Sequence, residues 1–324
     1  MTLYLLRRLG AGALVLLGVI WFTFTLQYFQ TYGALAPAHI VCAQHMTNSC
    51  LNGVIHQFGL DRPYLVRLWQ YVWGVVVHFD LGRSFKQQPS NVTSLLALYI
   101  PRTFWLAFVS LFLSIVIALP IGVYQAWRRN SVFDYAATGI TFFFYAMPAF
   151  VLGSILLSIF SYNTIHLPNS PPTGVNAWAM FTSPAGFILP IATLTALSVA
   201  GLSRFMRAKV LDVLVQDYIR TARAKGCGTF RLLFGHAMRN ALGPIVVIIG
   251  LSVPALLSGA LIVELVFNYA GLGFETVNAA AAQDIYVVLG VTVVVTIATV
   301  IGNLLADVGL ALLDPRVRLG NATS

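Results

Sequence analysis

The spacing of charge along the chain limits its fold more than any other feature. No charged residue stands between Arg8 and Asp61, Arg102 and Arg128, Asp134 and Arg204, Arg239 and Glu264, or Asp284 and Asp307. A membrane-spanning helix needs about 20 apolar residues, and a Lys, Arg or Asp at its centre costs about 2.5–3.5 kcal/mol on insertion scales. Spans therefore belong inside these gaps. Composition agrees: 58% of residues are hydrophobic and 9% charged, with a mean hydropathy of +0.82, outside the range of soluble globular domains. The gap from Asp134 to Arg204 has room for two spans, separated by "HLPNSPPTGVNAW" (166–178), whose Pro, Gly and Asn residues break helices. The expectation is an all-α membrane protein with six transmembrane helices, near 9–30, 103–126, 133–160, 187–204, 241–264 and 285–311. The first is read as a retained span. It is too long for a cleaved signal peptide, and no small-residue cleavage site clearly follows it.

An even number of spans puts both termini on one side. Fourteen of the nineteen Lys and Arg residues then share that side: Arg7, Arg8, Arg128, Arg129, eight residues between Arg204 and Arg239, Arg316 and Arg318. The positive-inside rule assigns that side, with both termini, to the cytoplasm. The net charge of +9 is thus mainly a topology signal. No aromatic-basic recognition surface accompanies it, so nucleic acid is not an expected partner.

The reading divides the chain into an N-terminal transmembrane helix (1–30), an extracytoplasmic loop region (31–100), a five-helix core (101–318) with a cytoplasmic segment at 204–240, and a short tail (319–324). The loop region mixes Trp69, Tyr71 and Trp73 with polar residues, a composition suited to the membrane surface. It also contains "HIVCAQHMTNSC" (39–50). There His39, Cys42, His45 and Cys50 have a spacing loosely like a zinc site. A Cys42–Cys50 disulfide and free thiols are the other two readings. Cys227 falls on the cytoplasmic side and is expected to be reduced.

No HExxH, GxSxG, CxxC or P-loop signature occurs, so the chain has no nucleotide-phosphate cradle of its own and is not expected to be an enzyme. Glu264 and Asp307 are the intramembrane carboxylates. Such groups are functional suspects by default, but both stand near helix ends, where interfacial water is within reach. A structural role is therefore favoured over ion carriage.

The most charged part of the chain includes "DYIRTARAKG" (217–226) between the fourth and fifth spans. Thr221, Ala222 and Ala224 would keep a helix here slim. Ile219 with Ala222 and Leu211, and Tyr218 with Ala222, would supply a modest apolar face. Gly226 would end it, since glycine takes the left-handed conformation without a Cβ penalty. Pro244 would kink or initiate a segment of the fifth span. An ordinary solvated loop accounts for the Arg and Lys residues but not for small residues and Gly at this spacing.

"QDYIRTARAKG" followed by "HAMRNALGP" resembles the coupling loop of permease subunits of ABC importers, in the peptide/nickel branch. The general pattern there is Glu-Ala-Ala, three residues, then Gly; here Arg220, Thr221 and Ala222 precede Gly226. The branch form Arg-Thr-Ala-Arg-Ala-Lys-Gly fits much better. "FGLDRPYLVRLWQYV" (58–72), "FDLGRSF" (79–85), "AMPAFVLG" (146–153), "VELVFNYAGLG" (263–273) and "LLDPRVR" (312–318) resemble further signatures of the first, B-type subunit, in order and on consistent sides. The stretch before about residue 55 has no such match.

The resemblance implies the type I ABC-importer permease fold in a bacterial cytoplasmic membrane. It implies a second permease subunit, two ABC ATPase subunits and an extracytoplasmic solute-binding protein as partners, besides lipid. ATP and Mg would be bound by the ATPases, not by this chain. Residues Asp217, Tyr218, Arg220, Thr221, Ala222, Arg223, Ala224, Lys225 and Gly226 would form the ATPase-coupling helix. Di- or oligopeptides are the first choice of solute, with nickel or another small solute next. Glu264, Asn268 and Tyr269, with Met147 and Pro148, are candidate gate or pathway residues; packing against the partner permease is the other reading of the first three. From a different class, a secondary transporter would show interrupted helices with midplane charges, which the sequence lacks.

Overall fold

The computed structural model describes residues 2–29, 38, 42, 47–84, 91–164, 166–171, 182–252 and 260–313. His39, His45, the middle of the Pro-rich loop, and residues 314–324, which include most of the C-terminal signature, lie outside them. Among the described residues the elements are helical. They are α1 (Thr2–Tyr28), α2 (Asn48–Phe58), α3 (Tyr64–Trp73), α4 (Val92–Trp127), α5 (Val132–Ala146), α6 (Ala149–Leu156), α7 (Ile188–Leu214), α8 (Asp217–Ala224), α9 (Met238–Leu251), α10 (Leu261–Val266), α11 (Leu272–Ala281) and α12 (Ile285–Leu313). π-helical turns at Gly74–His78, Leu157–Asn163 and Arg231–Ala237 extend α3 and α6 and precede α9.

Among the described residues, four helical stretches are long and apolar enough to cross a membrane: Arg7–Tyr28, Val92–Trp127, Pro184–Leu214 and Ile285–Val308. The expected third span is not one straight rod. α5 and the helix running from Ala149 to Asn163 meet at 103°. The cause is Pro148. It lacks an N–H to donate, and it pushes the preceding residue out of the helical region. Met147 accordingly adopts φ −81°, ψ 126°. Of the fifth expected span, α9 and α10 are described and 253–259 between them are not. Pro244 lies within α9 rather than at its start.

α4 and α7 run nine or more residues past their charge-free gaps. α4 has 36 residues, roughly 54 Å of helix, and takes in residues 92–100 of the expected loop region. α7 runs ten residues past Arg204 because its continuation is amphipathic: Met206 and Val210 are buried, and Arg207 pairs with Asp134.

The chain forms two compact units, residues 1–103 with 270–301, and 104–269 with 302–324. In the first, Cys42 and Cys50 are joined by a disulfide with Cα atoms 6.1 Å apart. Thr47 caps α2 by accepting from the Cys50 N–H, and Gly59 closes it with φ +60°. Tyr71 of α3 stacks on Phe24 at 5.7 Å and meets the tilted Tyr286 ring at 6.0 Å. Burial, with Tyr286 and Asp80 adding to it, pushes the Tyr71 phenol well above its usual range. Ser84 donates to the Asp284 carboxylate, and the Leu272 N–H donates to Thr103 Oγ1 at 2.7 Å.

In the second unit α7 is the central element, packed by α5, α6, α9 and α10. A Cβ on Gly122 would lie 2.6 Å from the Ser203 carbonyl oxygen and 2.7 Å from Met206 Cβ, so a glycine is what lets α4 and α7 approach so closely. Asp134, almost fully enclosed at the start of α5, accepts two 2.7 Å hydrogen bonds from Nε and Nη2 of Arg207. It also accepts from the Asn130 N–H at 3.0 Å. The bidentate geometry is the strong form of this pair, and the backbone donor satisfies more of the carboxylate.

Candidate functional site

Residues 217–226 form the helix expected of them. α8 starts after Gln216, which has extended ψ (148°) and no side-chain cap. Thr221 Oγ1 donates back to the Asp217 carbonyl at 3.0 Å. Asp217 in the first turn and Arg223 in the last match the helix dipole. The end is closed by Gly226 at φ +79°, where its N–H donates to Arg223 O and that of Cys227 to Ala222 O, at 3.0 and 3.1 Å. These bonds satisfy carbonyls that the last turn leaves open.

Eight residues make too short a helix to persist alone in water, so α8 depends on what it packs against. Ile219, 1% exposed, is its anchor. It sits in a cluster with Leu232, Leu233, Val210 and Ala237, and Ala222, Cys227, Leu211 and Leu214 pack against that cluster. Tyr218 was expected on the apolar face but is 43% exposed, and its hydroxyl accepts from Asn240 Nδ2 at 2.8 Å. Asp217, Arg220, Thr221, Arg223, Ala224 and Lys225 are exposed. The Arg220–Asp217 contact, 3.6 Å between solvent-exposed groups, contributes little to stability. Beside the helix, Asp212, Val213, Gln216, Tyr218 and Asn240 line an open cleft of about 600 Å³. The result is a knob seated through Ile219, with basic and small residues outward.

The gate candidates divide into two places. Met147 and Pro148 form the break between α5 and α6. Glu264, Asn268 and Tyr269 form the end of α10, where the Tyr269 N–H donates to the Glu264 carbonyl at 2.8 Å and Asn268 takes φ +47°. α6, which follows the break, packs on α10. Glu264 does not reach interfacial water as its position near a helix end had implied. It is fully enclosed, because α10 packs against α6 and α7. Tyr269 is buried against Phe187, with ring centroids 5.9 Å apart, and against Leu106 and Ala260. Asn268 is exposed and Asp307 half-buried.

Two features of this region escaped sequence reasoning. The Asn240–Tyr218 bond joins residues 22 apart and has no local pattern. The Asp134–Arg207 pair had a faint signal: an isolated acid just after Arg128 and Arg129, at the edge of a long apolar gap.

The ordered signatures on a multi-helix membrane protein point to a class that the comparisons establish. The family described as binding-protein-dependent transport system inner membrane component matches residues 118–319, and the family's N-terminal membrane component matches residues 1–107. The chain belongs to this family and is a multi-pass membrane permease. An oligopeptide transport system permease protein of Bacillus subtilis (strain 168) is 34% identical, over 98% of this chain and 99% of its own. Dipeptide transport system permease proteins of Bacillus subtilis (strain 168) and Escherichia coli (strain K12) are each 31% identical, over 98% of this chain and 99% of theirs.

Proposed function

We propose that this chain is one of two permease subunits of an ATP-driven importer of di- or oligopeptides, with six spans and both termini in the cytoplasm of a bacterial inner membrane. The observation that carries the reading is full-length likeness to permease subunits of dipeptide and oligopeptide systems. The basic residues on one side support the orientation.

In this reading α8 docks in a groove of an ATPase subunit, which binds ATP and Mg. Asp217, Tyr218, Arg220, Thr221, Ala222, Arg223, Ala224, Lys225 and Gly226 make the contact surface: small residues permit close approach, and basic ones suit acidic or polar groove walls. Closure of the ATPases moves α8 and, through α7, the helices packed on it. Such coupling needs a two-state element biased from a distant site. The bidentate Asp134–Arg207 pair supports α7 in that role. A solute-binding protein delivers substrate from outside. For the turn 264–269, the enclosure of Glu264 and Tyr269 within this chain favours a structural role inside the fold over both gating and contact with the partner permease, which leaves the Met147–Pro148 break as the gate candidate.

The test is cysteine crosslinking from Cys227, which borders α8, to single cysteines along the ATPase groove of the assembled transporter. Crosslinks at one or more groove positions are expected. Their absence at every position would rule out docking through α8. Uptake of labelled dipeptide, longer peptide and nickel by the reconstituted complex separates the solute classes. Uptake without any ATPase subunit would indicate a secondary transporter.

A further inference from the structure

Helix α3 is apolar on two opposite sides, and only one of them is covered. Its inner side meets the end of α1. The Tyr64 hydroxyl and Thr25 Oγ1 share a 2.6 Å hydrogen bond, Tyr71 stacks on Phe24, and the Arg67 guanidinium lies 5.3 Å from the Tyr28 ring centroid. On the outer side Leu65, Trp69, Trp73 and Val77 recur every fourth residue, so they form one row along the helix. All four are exposed, Leu65 at 71% and Trp69 at 64%. Trp69 and Trp73 stack on each other at 5.9 Å. The row ends at Phe79, 75% exposed and held at φ +52°, a conformation uncommon for a bulky residue. A helix bathed in water on its outer side would carry polar residues there.

What covers this row follows from where α3 is held. α1 contains the apolar span Arg7–Tyr28, and Phe24, Thr25 and Tyr28, the residues that seat α3, are at its end. α3 therefore lies at the level where α1 leaves the apolar layer, whichever side of the membrane that is. Phe29, itself highly exposed, contacts Tyr64 with ring centroids 6.3 Å apart. The exposed apolar surface of α1 thus adjoins the start of the α3 row at Leu65. Tryptophan concentrates at this depth, where one part of the ring is in an apolar medium and the indole N–H is wet. Arg62, His78 and Asp80, all exposed, flank the row with polar groups.

We infer that α3 and the π-helical turn after it form an interfacial helix, lying in the plane of the membrane with the row from Leu65 to Phe79 set into the headgroup–acyl boundary. The lipid surface is its partner. The helix fixes the depth and tilt of α1, and it holds the disulfide-bonded segment before it close to the bilayer. This rests on α1 spanning the membrane and is independent of the transported solute.

The test uses the assembled transporter in nanodiscs, in a Cys227→Ser background. Leu65→Cys and Trp69→Cys are each labelled with a fluorescent thiol probe. The nanodiscs contain lipids with nitroxides at the headgroup, at a shallow acyl carbon or near the chain end. Quenching by the two shallow nitroxides is expected to exceed that by the deep one by about threefold, as suits a depth of about 5–10 Å. Iodide in the water is expected to quench far less than at an Arg62→Cys control. Iodide quenching equal to the control overturns the proposal, because the row then faces water. Shielding from iodide and all lipid probes also overturns it, because protein then covers the row. Leu65→Cys keeps both tryptophans, so the test survives if Trp69→Cys does not fold.

Discussion

Helices α3 and α8 are similar in length, ten and eight residues, and opposite in what they turn outward. Each is too short to be stable alone, and each is held by one narrow face. α8 has a single buried aliphatic anchor, Ile219, and presents charge. α3 is held by aromatic contacts to α1 and presents Leu65, Trp69 and Trp73. The difference shows that anchoring and presentation are separable. Packing decides that a short helix exists and where it sits, and the residues left outside decide its medium. Charge with small side chains suits a hydrated protein groove, whereas a bare apolar row suits lipid.

The comparison holds only if α8 is seated as rigidly as α3, and the mutations most damaging to that seating test it first. Asp134→Ala would leave the Arg207 charge without its partner. Breaking a fully buried pair in this way costs about 3–5 kcal/mol; with 29% of the Arg207 side chain exposed, about 3 kcal/mol is expected here. A lowered melting temperature and faster amide exchange across 204–224 are expected, with the probes on α3 unaffected; an unchanged melting temperature would show that the pair does not hold α7. Ile219→Ala should remove about 2–5 kcal/mol, read as lost amide protection within 217–224. Unchanged protection would mean that the anchor lies elsewhere.

Gly226→Val acts through the backbone alone, because no atom lies within 4 Å of a Cβ built there. Holding an L-residue at positive φ costs roughly 1–2 kcal/mol. Transport-coupled ATP hydrolysis should fall while membrane insertion is intact, and Gly226→Asn, which tolerates the left-handed region, should stay near wild type. If valine couples as well as glycine, the turn is dispensable. Arg220→Ala is the mildest change. Its exposed contact with Asp217 is worth about 0.5 kcal/mol or less, so the melting temperature should not move while co-purification with the ATPase weakens. Equal recovery of the ATPase would remove Arg220 from the docking surface.

Much of the candidate site was legible because its signals are local. The start of α8, its small residues and its end at Gly226 depend on spacing within ten residues, and the structure has the helix where that spacing predicts it. Family membership likewise rests on short ordered motifs. The enclosure of Glu264 was not legible, because burial depends on α6 and α7, which arrive from far away in sequence. Nor was the outward position of Tyr218: its partner Asn240 is on a different helix, and an aromatic ring in an amphipathic pattern is as compatible with a core as with a cleft.

The sequence by itself determined that this chain lives in a membrane, because apolar stretches of spanning length are readable one residue at a time through their transfer free energies. It also showed that charge gathers outside those stretches, but its apolar pattern reads as one continuous span over 133–160, where the structure has two helices meeting at 103°. Only the tertiary structure decided that α7 continues ten residues beyond Arg204, that Asp134 reaches Arg207, and that α3 packs on α1 through Tyr64 and Tyr71. Each of these depends on pairing groups distant in the chain, and no local pattern of hydrophobicity or charge specifies which distant partner will be met.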